Sequence, residues 1–158
     1  MILAIIPAKG GSKRLPNKNM YTINGKPLLE YTVQYVKQSK LINDFYVSTD
    51  NKQIIAYCEY KKIKYVQRPE SLGGETPIID VYRHFLSQIS FQEQINILLG
   101  LQPDHPDRRL SADETIKLFT KKKADRLMSK QKNGEKNGAH YILSKKYLNE
   151  NISSKDIT

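Results

Sequence analysis

The sequence predicts an α/β protein built on an open, mostly parallel sheet flanked by helices. Two continuous apolar runs, residues 2–7 and 96–101, have the pattern of strands buried on both faces. Shorter strand-like segments alternate with stretches whose apolar residues recur every three or four positions. A third observation bears on function. Glycines, prolines and charges cluster directly after the strand ends, where open α/β sheets hold their ligands.

Residues 2–7 form the first strand and run straight into a glycine-rich loop. Asn24-Gly25 marks a turn, and Pro27 opens a helix with Leu28, Leu29, Thr32 and Val36 as its inner stripe. The second strand, 45–48, ends at Thr49-Asp50. A helix through Ile54, Ile55 and Cys58 follows, then a short strand at 64–67 that Arg68-Pro69 breaks. Gly73-Gly74 marks a second loop. Pro77 starts a helix with Ile78, Val81, Tyr82, Phe85, Leu86 and Ile89 on or near its buried face. The strand at 96–101 ends at Gln102-Pro103-Asp104-His105-Pro106. Ser111 and Glu114 have capping-box spacing and open a helix through Ile116, Leu118 and Phe119. Residues 126–129 and 139–143 are the last strand candidates. The 158 residues, 1–158, fit one domain, with no internal repeat.

Composition narrows the function. The net charge of +10 raises nucleic-acid binding, but the excess is mostly Lys scattered over expected solvent faces. No helix-turn-helix, zinc spacing or aromatic RNA-binding strand accompanies it. No apolar run is long enough to span a bilayer, and no leader pattern precedes the first strand. Cys58, the only cysteine, lies in an apolar-periodic helix as a small core residue. A reducing cytoplasm, with no nucleic-acid or membrane partner, is the expected setting.

The loop after the first strand carries the most chemistry. Lys9-Gly10-Gly11-Ser12-Lys13-Arg14, with Lys18, puts four cations and two adjacent glycines within ten residues. Gly10 and Gly11 have no side chain to block close approach, so N–H groups can converge on an anion while the cations surround it. Such a loop suits a nucleoside triphosphate.

Residues 7–19, Pro-Ala-Lys-Gly-Gly-Ser-Lys-Arg-Leu-Pro-Asn-Lys-Asn, resemble the nucleotide-binding motif of the acylneuraminate cytidylyltransferases and the related CMP-Kdo synthetases. Lys9 stands where that family commonly has Arg. Asn24-Gly25-Lys26-Pro27-Leu28, Val47-Ser48-Thr49-Asp50, Arg68-Pro69-Glu70, Glu75-Thr76-Pro77 with His84, Leu101-Gln102-Pro103 and Asn137-Gly138-Ala139-His140-Tyr141-Ile142 follow in the family's order. The resemblance implies a Rossmann-like nucleotide-diphospho-sugar transferase fold. It implies attack of a sugar acid's hydroxyl on the α-phosphorus of CTP, with release of pyrophosphate and use of Mg²⁺ or Mn²⁺. By resemblance, Ala8, Lys9, Gly10, Gly11, Ser12, Lys13, Arg14, Lys18, Asn19 and Arg68 bind the nucleotide, Arg68 at its base end. Lys13, Arg14 and Lys18 act in catalysis, and Gln102 and His105 meet the acceptor.

Gln102-Pro103-Asp104-His105-Pro106 departs from the Gln-Pro-Thr-Ser-Pro of the sialic acid branch. Asp104 falls on the carboxylate that binds Mg²⁺ in the Kdo branch. It is the first metal candidate and Asp50 the second. His84 and His140 are expected to be structural. Relatives carry a long segment between the last two strands, which supplies acceptor contacts and a dimerising arm; here only residues 129–136 join them. Relatives also end in an Asp-Ile-Asp motif, of which Asp156 is a remnant. The expectation is a compact cytidylyltransferase for a sugar acid or another small acid, as a monomer or a dimer without the arm. The alternatives are a non-catalytic nucleotide-binding homologue and a nucleotidyltransferase using another triphosphate and a sugar 1-phosphate.

Overall fold

The computed structural model describes residues 1–11 and 14–152. Ser12, Lys13 and Asp156, all named above, lie outside the described residues. In chain order the main elements are β1 (Ile2–Pro7), β2 (Thr22–Ile23), β3 (Lys26–Pro27), α1 (Leu28–Lys37), β4 (Asp44–Thr49), α2 (Lys52–Tyr60), β5 (Tyr65–Gln67), α3 (Ile78–Ser87), β6 (Ile97–Gly100), α4 (Ala112–Lys121), β7 (Arg126–Lys130), β8 (Lys136–Ser144) and α5 (Lys145–Asn151).

Six strands form one sheet in the order β5-β4-β1-β6-β8-β7. β1 pairs in parallel with β4 on one side and β6 on the other, and β4 pairs in parallel with β5. β8 is antiparallel to both β6 and β7, so only β8 runs against the rest. The sheet is therefore mostly parallel, as expected. Its central strand buries side chains on both faces because they alternate. Ala4 and Ile6 pack with Leu29 and Val33 of α1, Ile54 and Cys58 of α2, and Ile116 and Phe119 of α4. Leu3 and Ile5 pack on the opposite face with Tyr82, Phe85 and Leu86 of α3 and Leu148 of α5. Burial pushes the Cys58 thiol up to about 11, consistent with a core residue rather than a nucleophile.

The expected Asn24-Gly25 turn is present, and other elements depart from the sequence expectation. Asn24 and Gly25 both have positive φ, 52° and 76°, and close a two-residue hairpin between β2 and β3. That geometry suits the primed turns favoured by Asn-Gly. Leu118 faces solvent rather than the core. Residues 145–151 form a helix, α5, that the sequence reading left out. Ser144 caps it, its hydroxyl accepting from the Tyr147 N–H, and Leu148 anchors it. Among the described residues, no helix is long and apolar enough to cross a membrane.

Candidate functional site

The chain leaves β1 towards β4 and later returns to β6 on β1's other side. The loops after β1 and β6 therefore diverge and leave a crevice at the carboxyl ends of the strands. A cavity of about 320 Å³ lies there. Lys9, Lys18 and Asn19 line it from the first loop, Arg68 from the end of β5, Gly74 and Thr76 from the second loop, and Gln102, Pro103 and Asp104 from the end of β6.

The loops are cross-tied. Lys9 Nζ donates to the Gly74 carbonyl at 3.1 Å, and the buried Asn19 donates from Nδ2 to the Lys9 carbonyl at 2.8 Å. The Gly10 N–H donates to Asp50 Oδ1 at 3.0 Å. A Cβ on Gly10 would lie 2.4 Å from the Asn51 side chain, and one on Gly73 would lie 2.7 Å from Asp50 Oδ2. These two glycines thus let both loops close on Asp50 and on Asn51, whose side chain caps α2. The Gly10 amide, expected to face an anion, is engaged by a carboxylate of the chain itself. Asp50 is not among the residues that line the cavity. Ala8 is buried behind the loop, whereas Gly11 and Arg14 are exposed.

Arg68 is only 4% exposed and its backbone N–H holds it to the Thr49 carbonyl. One guanidinium nitrogen lies 4.0 Å from Asp50 Oδ1, and Nε has no hydrogen-bond partner among the described residues. Burial lowers its pKa, partly opposed by Asp50. Across the cavity, Lys18 Nζ pairs with Asp104 Oδ2 at 2.8 Å. The other carboxylate oxygen, Oδ1, is buried and makes no hydrogen bond, with His105 Nε2 3.4 Å away.

A second cavity of about 220 Å³ adjoins the first, sharing Ile78 and Gln102. Ser129, Lys136, Asn137, His140 and Tyr141 of the β7–β8 hairpin line it, with Tyr82. A Cβ on Gly100 would lie 1.9 Å from Tyr82 Oη, so glycine is what allows this ring against the sheet. The Gln102 side chain lies over Gly138, whose φ is 74°, and which has no Cβ to push it away.

Of the residues expected from sequence, Lys9, Lys18, Asn19, Arg68, Gln102 and Asp104 come together around one cavity. Arg14, Asp50 and His105 are not part of its lining. The sequence reading missed Arg108, a half-buried guanidinium bonded to carbonyls of the loop after β6, and the Tyr35–His140 pair beside it. Nothing in Asp107-Arg108-Arg109 distinguishes the half-buried arginine from its exposed neighbour.

An α/β sheet with a crevice at its switch point belongs to the class of open-sheet folds that hold ligands at the carboxyl ends of their strands. The chain belongs to the cytidylyltransferase family, whose model matches residues 3–136. It is 36% identical over 120 residues to an N-acylneuraminate cytidylyltransferase of Escherichia coli, covering 75% of this chain and 28% of that protein. It is 38% identical over 122 residues to a CMP-N,N'-diacetyllegionaminic acid synthase of Legionella pneumophila, covering 73% and 50%. The chain thus spans half or less of these two relatives. Its fold is similar to that of a CMP:2-keto-3-deoxy-manno-octonic acid synthetase solved with CTP. The TM-score is 0.74 at 17% identity, covering 94% of this chain and 76% of the other.

Proposed function

We propose that the chain binds CTP in the cavity between β1 and β6 and transfers CMP to a sugar acid or another small acidic acceptor. The acceptor hydroxyl forms a bond to the α-phosphorus, the α–β phosphoanhydride bond breaks, and pyrophosphate leaves with the electron pair. One observation carries the reading: Lys9, Lys18 and Arg68 converge on one crevice, and Arg68 is buried with an unpaired N–H. An unpaired buried cationic donor is costly, and an acceptor atom of the bound nucleotide, assigned here to its base end, would satisfy it. Displacement at phosphorus is accelerated mainly by positioning and charge neutralisation. Lys13, Arg14 and Lys18 are assigned the second task, and Ala8 to Ser12 the shaping of the loop. Gln102, shared by both cavities, and His105 are assigned to the acceptor, which enters from the second cavity. CTP as substrate points to the cytoplasm.

A divalent cation, Mg²⁺ or Mn²⁺, fits the donors present. Asp104 offers a hard carboxylate with one buried oxygen free of hydrogen bonds. No cluster of three or more His, Cys, Asp or Glu residues surrounds it among the described residues. That suits Mg²⁺, which takes one or two carboxylates and completes its shell with phosphates and water. When bound, the ion would neutralise triphosphate charge. Asp50, engaged by Gly10 and close to Arg68, reads better as the anchor of the two loops than as a ligand.

A non-catalytic nucleotide-binding role has one observation in its favour. β7 and β8 are joined by a tight turn, so the hairpin contributes little beyond its strands to cover the second cavity. Thermal shift with CTP, UTP, GTP and ATP, with and without Mg²⁺, tests the binding. CTP at a hundred times its Kd should stabilise by about 2.7 kcal/mol, and more with Mg²⁺ in the wild type than in Asp104→Asn. No selective response to CTP would overturn the reading, and selectivity for UTP or GTP would favour a sugar 1-phosphate acceptor. Pyrophosphate release with sugar acids then separates an enzyme from a binding module.

A further inference from the structure

We infer that Arg108 is a positioning residue that couples the two cavities: it sets Asp104 against the nucleotide and Gln102 against the acceptor. The inference rests on the nucleotide reading above. The guanidinium makes four hydrogen bonds. Nη2 donates to the Gln102 carbonyl at 2.5 Å and Nη1 to the His105 carbonyl at 2.7 Å. Nη1 also donates to Thr32 Oγ1 at 3.0 Å, and Nε to the Ala139 carbonyl at 2.9 Å. The two loop carbonyls bracket Asp104. Thr32 belongs to α1 and Ala139 to β8, so one planar group ties the loop after β6 to two elements distant in sequence.

The same group reaches the second cavity by two routes. Ala139 follows Gly138, on which the Gln102 side chain rests, so Arg108 holds the backbone of Gln102 and that of the residue next to Gly138. The guanidinium also lies over the Tyr35 ring, 5.1 Å from its centroid, and the Tyr35 hydroxyl is 2.7 Å from His140 Nε2 in the cavity wall.

The cost of this arrangement argues that it has a purpose beyond holding the loop. Its hydrogen bonds go to carbonyls and a hydroxyl rather than to a carboxylate, and burial lowers its pKa to about 10, partly opposed by Tyr35, Asp104 and Asp107. Apolar packing would hold a loop without desolvating a charge. A guanidinium adds a rigid fork that fixes several acceptors at set angles, which an ammonium on a flexible stem cannot do. Hydrogen bonds to a metal ligand itself are typically worth tenfold or more in metal affinity or activity, and Arg108 acts on Asp104 through the carbonyls that flank it.

Three variants test the inference: Arg108→Met, Arg108→Lys and Thr32→Val, the last removing one acceptor at nearly constant volume. CTP affinity is measured by calorimetry with and without Mg²⁺, well below each variant's melting temperature. Metal-free CTP affinity should stay within about twofold, because the phosphate-loop cations are untouched. The Mg²⁺ enhancement should fall about tenfold in Arg108→Met. Lys should restore only part of it, and Thr32→Val should show a smaller loss of the same kind. Lower melting temperatures with the wild-type Mg²⁺ enhancement retained would overturn the inference, leaving Arg108 a stability residue. If Arg108→Met does not fold, the other two variants still decide. Failure of the wild type to bind CTP would instead remove the nucleotide reading and this inference with it.

Discussion

His140 lies in the wall of the second cavity, where burial, Arg108 and His105 pull its pKa down to about 4. The Tyr35 hydroxyl has one proton and touches both the Leu110 carbonyl and His140 Nε2. The carbonyl can only accept, so the hydroxyl donates to it and Nε2 carries the ring proton. A cation beside Arg108 would meet like charge in a buried position. Because the native pKa lies below the unfolded value near 6.5, the unfolded state binds more protons between the two. This group's contribution to stability is therefore complete above about pH 6.5 and is lost as pH falls towards 4 and below, on the order of 3 kcal/mol in all. His84, also lowered by burial and by Arg68, acts in the same direction. Urea midpoints from pH 7 to 4 should fall less steeply in His140→Gln than in the wild type. An equal slope would move the acid sensitivity elsewhere. Of these residues, Arg68 was legible because a strand break preceded it and a family motif contained it. Arg108 was not, since its burial comes from Thr32, Tyr35 and Ala139, far away in sequence.

At the scale of elements, strands and helices were legible because each carries its own period or cap. Ser111 and Glu114 do form the reciprocal capping box. α5 was missed although Ser144 and Leu148 carried a weaker form of the same signal. What loops pack against was not readable. Gly10 looked like an anion cradle, yet the structure makes it a seat for Asn51 and a donor to Asp50. β8 offers a test of such a seat. Gly138 combines a φ of 74° with a Gln102 side chain 2.3 Å from where a Cβ would sit. Gly138→Ala should cost about 1–2 kcal/mol in backbone strain and push Gln102 off its seat. The acceptor KM should then rise severalfold while CTP affinity, measured separately, stays unchanged. A change in CTP affinity with an unchanged acceptor KM would contradict the role given to Gln102.

For the whole molecule, the β7–β8 connection matters most. The Gln131 N–H donates to the Glu135 carbonyl at 2.7 Å and the Gly134 N–H to the Gln131 carbonyl at 3.0 Å, closing a tight turn. A turn of this size cannot reach into a partner. We therefore expect a monomer, or a dimer through another face, with slow or absent transfer onto nine-carbon sugar acids despite good CTP binding. Light scattering beside pyrophosphate release decides it. Rapid turnover on a nine-carbon acid would show that this short turn does not limit the acceptor.

By itself the sequence determined the alternation of strands and helices, the buried central strands and the charged loops at their carboxyl ends. Those features follow from local periodicity, turn chemistry and the handed, short connections available to an α/β chain. Only the tertiary structure decided which charges meet. Lys18 finds Asp104 from 86 positions away, Arg108 reaches Thr32 across 76, and Tyr35 meets His140 across 105. Each pairing depends on where the sheet places β1, β6 and β8 beside one another, and no local pattern encodes that adjacency.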